Sequence, residues 1–128
     1  MVGKGVFYEE IKITEAAAGD AGILSLANPE GTDLIITRFI IHTTNAADGA
    51  TTIDAGIDAD GTGSADTLLD GRTINAVGFR DNIMDQDTNG QESILWPEDE
   101  FVTITKTAGA AESELNLEAT VFIEYIRC

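Results

Sequence analysis

Apolar residues along this chain fall in short alternating runs separated by clusters of turn-forming residues. A two-residue period of this kind marks strands with one buried face. Residues 33–43 (DLIITRFIIHT) form the strongest run. Simple alternation assigns Leu34, Ile36 and Ile40 to one face, with His42 beside them, and Ile35, Phe39 and Ile41 to the other. Apolar residues on both faces predict a central strand. One side is covered by the core, the other by a loop or a partner subunit. The final run, LNLEATVFIEYIR at 115–127, places Leu117, Ala119, Val121, Ile123 and Tyr125 on a packed face. Glu118, Thr120 and Glu124 share a wet face, which Phe122 and Ile126 interrupt.

The weaker segments complete an all-β pattern. Residues 5–14 (GVFYEEIKIT) predict a first strand, and the imperfect alternation of Val6, Tyr8 and Ile11 predicts a bulge near Glu9-Glu10. Residues 15–22 are a connection, and Ile23 to Leu26 is a short strand. Asn28-Pro29-Glu30-Gly31 is a turn, since Pro fixes φ and Gly supplies positive φ. Thr51 to Ile57 returns with Ile53, Ala55 and Ile57 on one face. Residues 58–66 are loop, with Ser64 expected to cap a single helical turn reaching Leu69. Residues 73–79 make a weak strand or extended loop, Glu92 to Trp96 and Phe101 to Lys106 supply further strands, and 85–91 is a polar turn. About eight short antiparallel strands predict a single-domain, jelly-roll-like β-sandwich over 1–128, with 1–10 as a docking arm or the first strand. An immunoglobulin-like sandwich is the alternative. It usually offers a buried Trp and a Cys pair; Trp96 is present and the pair is absent.

Charge narrows the function. The chain has 128 residues, with 23 Asp and Glu against 7 Lys and Arg, a formal net charge of −16. Phosphate contacts need clustered basic residues, so nucleic acid is not an expected partner. Anionic membranes are disfavoured for the same reason. No apolar run approaches the about 20 residues of a spanning helix, and Met-Val-Gly-Lys-Gly is not followed by a signal-peptide apolar core. Hydrophobic residues make up 43% of the chain, which supports a folded core and not disorder. The one cysteine, Cys128, excludes an intrachain disulfide. It is read as a free thiol or as a cross-link between subunits.

Candidate chemistry is sparse. Asp85-Gln86-Asp87-Thr88-Asn89-Gly90 matches the first half of an EF-hand loop, which makes Asp85, Asp87 and Asn89 candidate calcium ligands. Trp96 stands where the bidentate Glu is required, so Glu92 or Asp81 would have to complete the site. The competing expectation is a solvated turn and no cofactor. His42 is the sole histidine and has no Ser or Cys partner at motif spacing, so it reads as a packed or interface residue and the chain as a non-enzyme. Each scarce arginine is expected to have an acidic partner; Arg38 must pair or reach an edge. Arg72 and Arg80 are expected to anchor loops or subunits.

The stretch Leu26-Ala27-Asn28-Pro29-Glu30-Gly31-Thr32-Asp33-Leu34-Ile35-Ile36-Thr37-Arg38 resembles an N-P-x-G-x-x-L-I-I-T-R opening in small phage- and prophage-encoded proteins. The resemblance continues through Thr52–Ile57, Ser64–Gly71, Asp81–Ile83, Thr88–Gly90, Leu95-Trp96 and Phe122–Arg127, covering roughly residues 23–128. It implies a virion structural protein resembling a capsid decoration (cement) protein, and carries over no catalytic residue. The implied partners are the major capsid protein and further copies of the chain, as a homo-oligomer, often a trimer, on the capsid surface. Val6, Phe7, Tyr8, Ile36, Arg38, Ile40, His42, Phe122 and Ile126 are then the candidate interface residues. The alternatives are a tail, fibre or filament β-module, or a small calcium- or carbohydrate-binding module.

Overall fold

The longest strand is the run at 34–45, and the molecule is built around it. A computed structural model describes residues 4–13, 22–47, 50–84, 92–108 and 116–128. Nine strands follow in order: β1 (Lys4–Ile13), β2 (Gly22–Ala27), β3 (Leu34–Asn45), β4 (Thr52–Asp58), β5 (Leu69–Thr73), β6 (Gly78–Asp81), β7 (Ile94–Trp96), β8 (Phe101–Ala108) and β9 (Leu117–Arg127). They form two antiparallel sheets. One runs β1-β9-β3-β6, with β7 also paired to β3; the other runs β2-β8-β4-β5. Without β7, this is the interleaved order of an eight-stranded jelly roll, in which each strand passes to the opposite sheet or returns beside an earlier one. The expected all-β sandwich is therefore the observed architecture, with β7 as an additional short strand.

The two sheets close on one apolar layer. Leu34, Ile36, Phe39 and Ile41 from β3 and Leu117, Val121 and Ile123 from β9 meet Ile53 and Ala55 from β4 and Val102 and Ile104 from β8. Trp96 is fully buried, and its indole N–H donates to the Glu100 carbonyl at 3.0 Å. The expected packed face of β9 is buried at every position, because no bulge interrupts 117–127.

Three expectations are corrected. First, β1 pairs with β9 in unbroken register from Lys4↔Ile126 to Ile13↔Leu117, so no bulge lies at Glu9-Glu10. Second, Ser64 caps no helical turn: Leu69 and Asp70 begin β5, and no helix occurs among the described residues. Third, β3 contains a bulge that simple alternation misses. The register against β9 shifts between Ile36 and Arg38, which makes Thr37 the extra residue. Leu34 and Ile36 face the core before the bulge, and Phe39, Ile41 and Thr43 face it afterwards. Ile40 and His42 consequently turn outward.

Asn82 fills the gap in the pairing of β3 beside this bulge. β6 pairs with Ile40–Thr43 and β7 with Leu34–Ile36, which leaves Phe39 between two partner strands. The Phe39 N–H donates to the Asn82 side-chain oxygen at 2.8 Å, and the Asn82 N–H donates to the Phe39 carbonyl at 3.1 Å. A buried side chain thus replaces the missing strand neighbour. The predicted turn at Asn28 is present too. Its side-chain oxygen accepts from the Glu30 and Gly31 N–H groups, and Gly31 takes φ 65°.

Candidate functional site

The outer faces of the two sheets differ. On the four-stranded sheet, the chain covers itself. The loop at 59–68 lies over β4 and β8, where Ser64 and Thr105 hydroxyls are 2.7 Å apart and the Leu68 N–H donates to the Ala55 carbonyl at 2.8 Å. Gly56 lies directly beneath Ala65 and Thr67. The loop is held internally by Asp58, one of whose carboxylate oxygens accepts from the Gly61, Thr62 and Gly63 N–H groups at 2.8–3.2 Å. Thr103 and Thr105 are buried as a result.

The outer face of the five-stranded sheet is apolar and open. The register aligns Ile126, Ile35 and Leu95 in one row, Phe122 and Ile40 in another, and His42 with Phe79 in a third. Phe79 is 67% exposed, Val6 67% and Leu95 51%. The Phe79 ring stacks on His42 with centroids 4.2 Å apart and planes 10° from parallel. At the edge beyond β6, Val77, Ile83 and Met84 are exposed as well. Single exposed apolar residues are ordinary; here Phe79 and Leu95 stand beside the partly exposed Ile35, Ile40, Phe122 and Ile126 on one sheet face, which makes this face the candidate interaction surface.

The charged groups on this face are largely engaged. Arg38 donates to Asp81 at 2.9 Å, the pairing that its scarcity predicted. The other Asp81 oxygen accepts from the Met84 N–H at 2.9 Å. Burial pushes the Asp81 carboxyl up, but the Met84 N–H and the Arg38 guanidinium together outweigh it and hold the group below its ordinary value. Thr37, at the bulge, donates to the Glu124 carboxylate at 2.9 Å. At the rim, Arg127 bonds both Glu30 oxygens and lies over the Tyr125 ring, with Tyr125 also donating to Glu30 at 3.1 Å. The Arg127 guanidinium holds the Glu30 carboxyl low.

Most, but not all, of the expected interface residues gather here. Val6, Arg38, Ile40, His42, Phe122 and Ile126 lie on or beside this face. Ile36 does not: it is fully buried in the core, because the bulge lies after it. The backbones of Phe7 and Tyr8 pair with Ile123 and Phe122, and their side chains lie outside the described residues. Alternation also overlooked Ile35, Phe79 and Leu95. The last two stand on strands of 4 and 3 residues, too short to show a period. Arg80 anchors its own loop by donating to the Ala76 carbonyl at 2.9 Å. Cys128 is exposed and forms no disulfide within the chain.

The expected calcium ligands Asp85, Asp87 and Asn89 lie outside the described residues. Among the described residues, no group of three or more His, Cys, Asp or Glu is placed to hold a metal. Asp54 contributes a structural contact instead. It accepts from the Gly71 N–H at 2.7 Å, where Gly71 takes φ 61°. Burial is the main cause raising its carboxyl, the Gly71 N–H works against that, and Asp70 and Asp66 raise it further.

No protein-family model matches the chain, and no curated protein matches it. Solved structures do, two bacteriophage capsids among them. A chain of the capsid of Ralstonia phage GP4 is similar with TM-score 0.59 at 14% identity, over 100% of this chain and 85% of that one. A chain of the acidic stable capsid of Helicobacter pylori bacteriophage KHP30 is similar with TM-score 0.52 at 10% identity, over 98% of this chain and 93% of that one. At such identities the likeness establishes the fold: this chain is a two-sheet jelly roll of the kind present in both of these bacteriophage capsid structures.

Proposed function

We propose that this chain is a non-enzymatic structural protein of a phage virion, which decorates and stabilises the capsid exterior as a homo-oligomer. The observation that carries this reading is the end-to-end match of one jelly roll to chains in two phage capsids. The match spans 85% and 93% of those chains, so the shared unit is nearly the whole of each and not an inserted fragment. Jelly rolls serve both capsids and lectins, so the fold alone does not choose between them. The surface supports the capsid reading. Trp96, the one tryptophan, is buried in the core and is not available as a sugar-stacking platform. A sheet face with apolar rows instead suits packing against protein. The −16 charge favours solubility at high copy number and keeps the chain off packaged DNA. Three copies per assembly is the number that the sequence resemblance implies.

The test is co-sedimentation of the purified chain with empty capsids of the phage that encodes it, at near-physiological salt. Saturable binding in proportion to the major capsid protein is expected. No binding at micromolar concentration overturns the decoration reading.

A further inference from the structure

Seven basic residues serve a chain with 23 acids, so an arginine held away from carboxylates stands out. Arg38 bonds Asp81, and Arg127 bonds Glu30. Arg80 differs. Its Nη1 donates to the Ala76 carbonyl at 2.9 Å, and no carboxylate of the described residues bonds it. The neighbouring charge is a second cation, Arg72. Burial first, and then that charge, push the Arg80 guanidinium below its ordinary value.

Sheet topology brings the two arginines together. β1 touches β2, so the orders β1-β9-β3-β6 and β2-β8-β4-β5 put β6 and β5 on the same far side of the sandwich. Arg80 stands opposite the buried Ile41 and Arg72 opposite the buried Ile53, so both share the inward side of their sheets. Thr43, the next inward residue of β3, is fully buried, yet its hydroxyl has no hydrogen-bond partner. It stands opposite Gly78, which has no side chain to fill the space between. Chain neighbours aside, only the Arg80 Nη1 comes within 4 Å of the position that a Gly78 Cβ would take, at 3.8 Å, among the described residues.

We propose that this corner, between the ends of β3, β5 and β6, binds a small oxyanion. The side chains gathered there are donors: the Arg80 and Arg72 guanidinium groups and the Thr43 hydroxyl. The Ala76 carbonyl is already taken by Arg80. Two guanidinium groups repel a metal cation and attract an anion. A guanidinium carries five N–H donors in a planar fork that matches two oxygens of a carboxylate or phosphate. Arg80 makes one bond to the described residues, which leaves the rest of its fork for a ligand. A buried hydroxyl without a partner is costly and calls for a bound group. An anion here accepts from the Arg80 fork and from Thr43, and it offsets the repulsion between Arg80 and Arg72. Free phosphate and a carboxylate carried by a neighbouring protein share this chemistry.

Thermal unfolding of the full chain in inorganic phosphate, in acetate and in chloride tests this, with ionic strength matched so that the −16 charge is screened equally in each. For a Kd of about 1 mM, about 20 mM ligand should raise the melting temperature by about 5 °C over chloride. Arg80→Gln removes the fork and Thr43→Val the hydroxyl, and each should cut that rise to about 1 °C or less. Thr43→Val replaces an unpartnered buried hydroxyl by a methyl, so in chloride it should melt no lower than the parent. Its lost response then cannot be ascribed to a damaged fold. A rise in phosphate alone assigns the corner to the free anion, and a rise in acetate assigns it to a carboxylate; either supports the proposal. A parent that melts alike in all three salts overturns it. So does a rise that both variants retain, which is the general stabilisation by excluded salts. A Thr43→Val variant that melts several degrees lower in chloride shows that the hydroxyl has a partner within the chain, and overturns its part in the site.

Discussion

Replacing Asn82 by alanine tests the bulge that sets the two faces of β3. The Asn82 side chain is fully buried and bonds the Phe39 N–H at 2.8 Å and the Glu92 carbonyl at 3.2 Å. Alanine leaves the Phe39 N–H buried and unpaired, at a cost of about 1–3 kcal/mol. Glu92 is exposed, so its carbonyl recovers water at little cost. The amide also leaves a small void, which brings the expected loss to about 2–3 kcal/mol. For a chain of this size, about 3–5 °C of melting temperature accompanies each kcal/mol, so Asn82→Ala should melt about 6–15 °C lower. Asn82→Asp keeps the acceptor for Phe39 but turns a carboxylate oxygen toward the Glu92 carbonyl. That variant should be destabilised at neutral pH and recover as pH falls, since the protonated acid can donate to Glu92. Thermal and urea unfolding followed by Trp96 fluorescence measures both variants. An Asn82→Ala variant that melts within about 1 °C of the parent would refute the assigned role.

Other predictions follow from the same geometry. Gly56→Ala places a Cβ 2.7–2.9 Å from Thr67 and from the Ala65 backbone, so it should cost about 1–3 kcal/mol and open the loop at 59–68 to limited proteolysis. Asp81→Asn breaks the ion pair with Arg38, whose side chain is 43% exposed, so the loss at neutral pH should be only about 1–2 kcal/mol by urea unfolding. The Asp81 and Glu30 carboxyls are held below their ordinary values of 3.8 and 4.5. Their stabilisation is thus complete above those values and is lost as pH falls through the lower folded ones, and the gap between parent and Asp81→Asn should close over that range. Asp54 is shifted the opposite way, so Asp54→Asn, which keeps an acceptor for Gly71, should not destabilise the neutral protein.

The legible parts of the fold were those set by neighbours in sequence. β9 runs without a bulge, so its period of two named all five inward residues. Asn28, Pro29 and Gly31 announce their turn because each has a local backbone preference. The illegible parts were set by distant residues. The bulge in β3 stands beside Phe39, whose N–H is satisfied by Asn82, 43 positions further along, and nothing within Thr37-Arg38-Phe39 signals it. Every side chain after Thr37 therefore turns over relative to simple alternation, which is why Ile36 belongs to the core and His42 does not. The segment at 64–69 looks like a capped helical turn, yet it is drawn over the sheet by a hydrogen bond between the Ser64 and Thr105 hydroxyls and one from the Leu68 N–H to the Ala55 carbonyl. The apolar face was half legible. Ile40, Phe122 and Ile126 stood out against polar neighbours, whereas Phe79 and Leu95 join them only through tertiary pairing.

The proposed place on the capsid exterior is tested most directly by where the chain is found. Quantitative mass spectrometry of gradient-purified virions should detect it in fixed proportion to the major capsid protein, and it should be released from intact, DNA-filled heads by mild denaturant, as expected for an exterior component. Its absence from purified virions, or its presence only inside heads from which it cannot be stripped, would contradict the assignment to the capsid exterior.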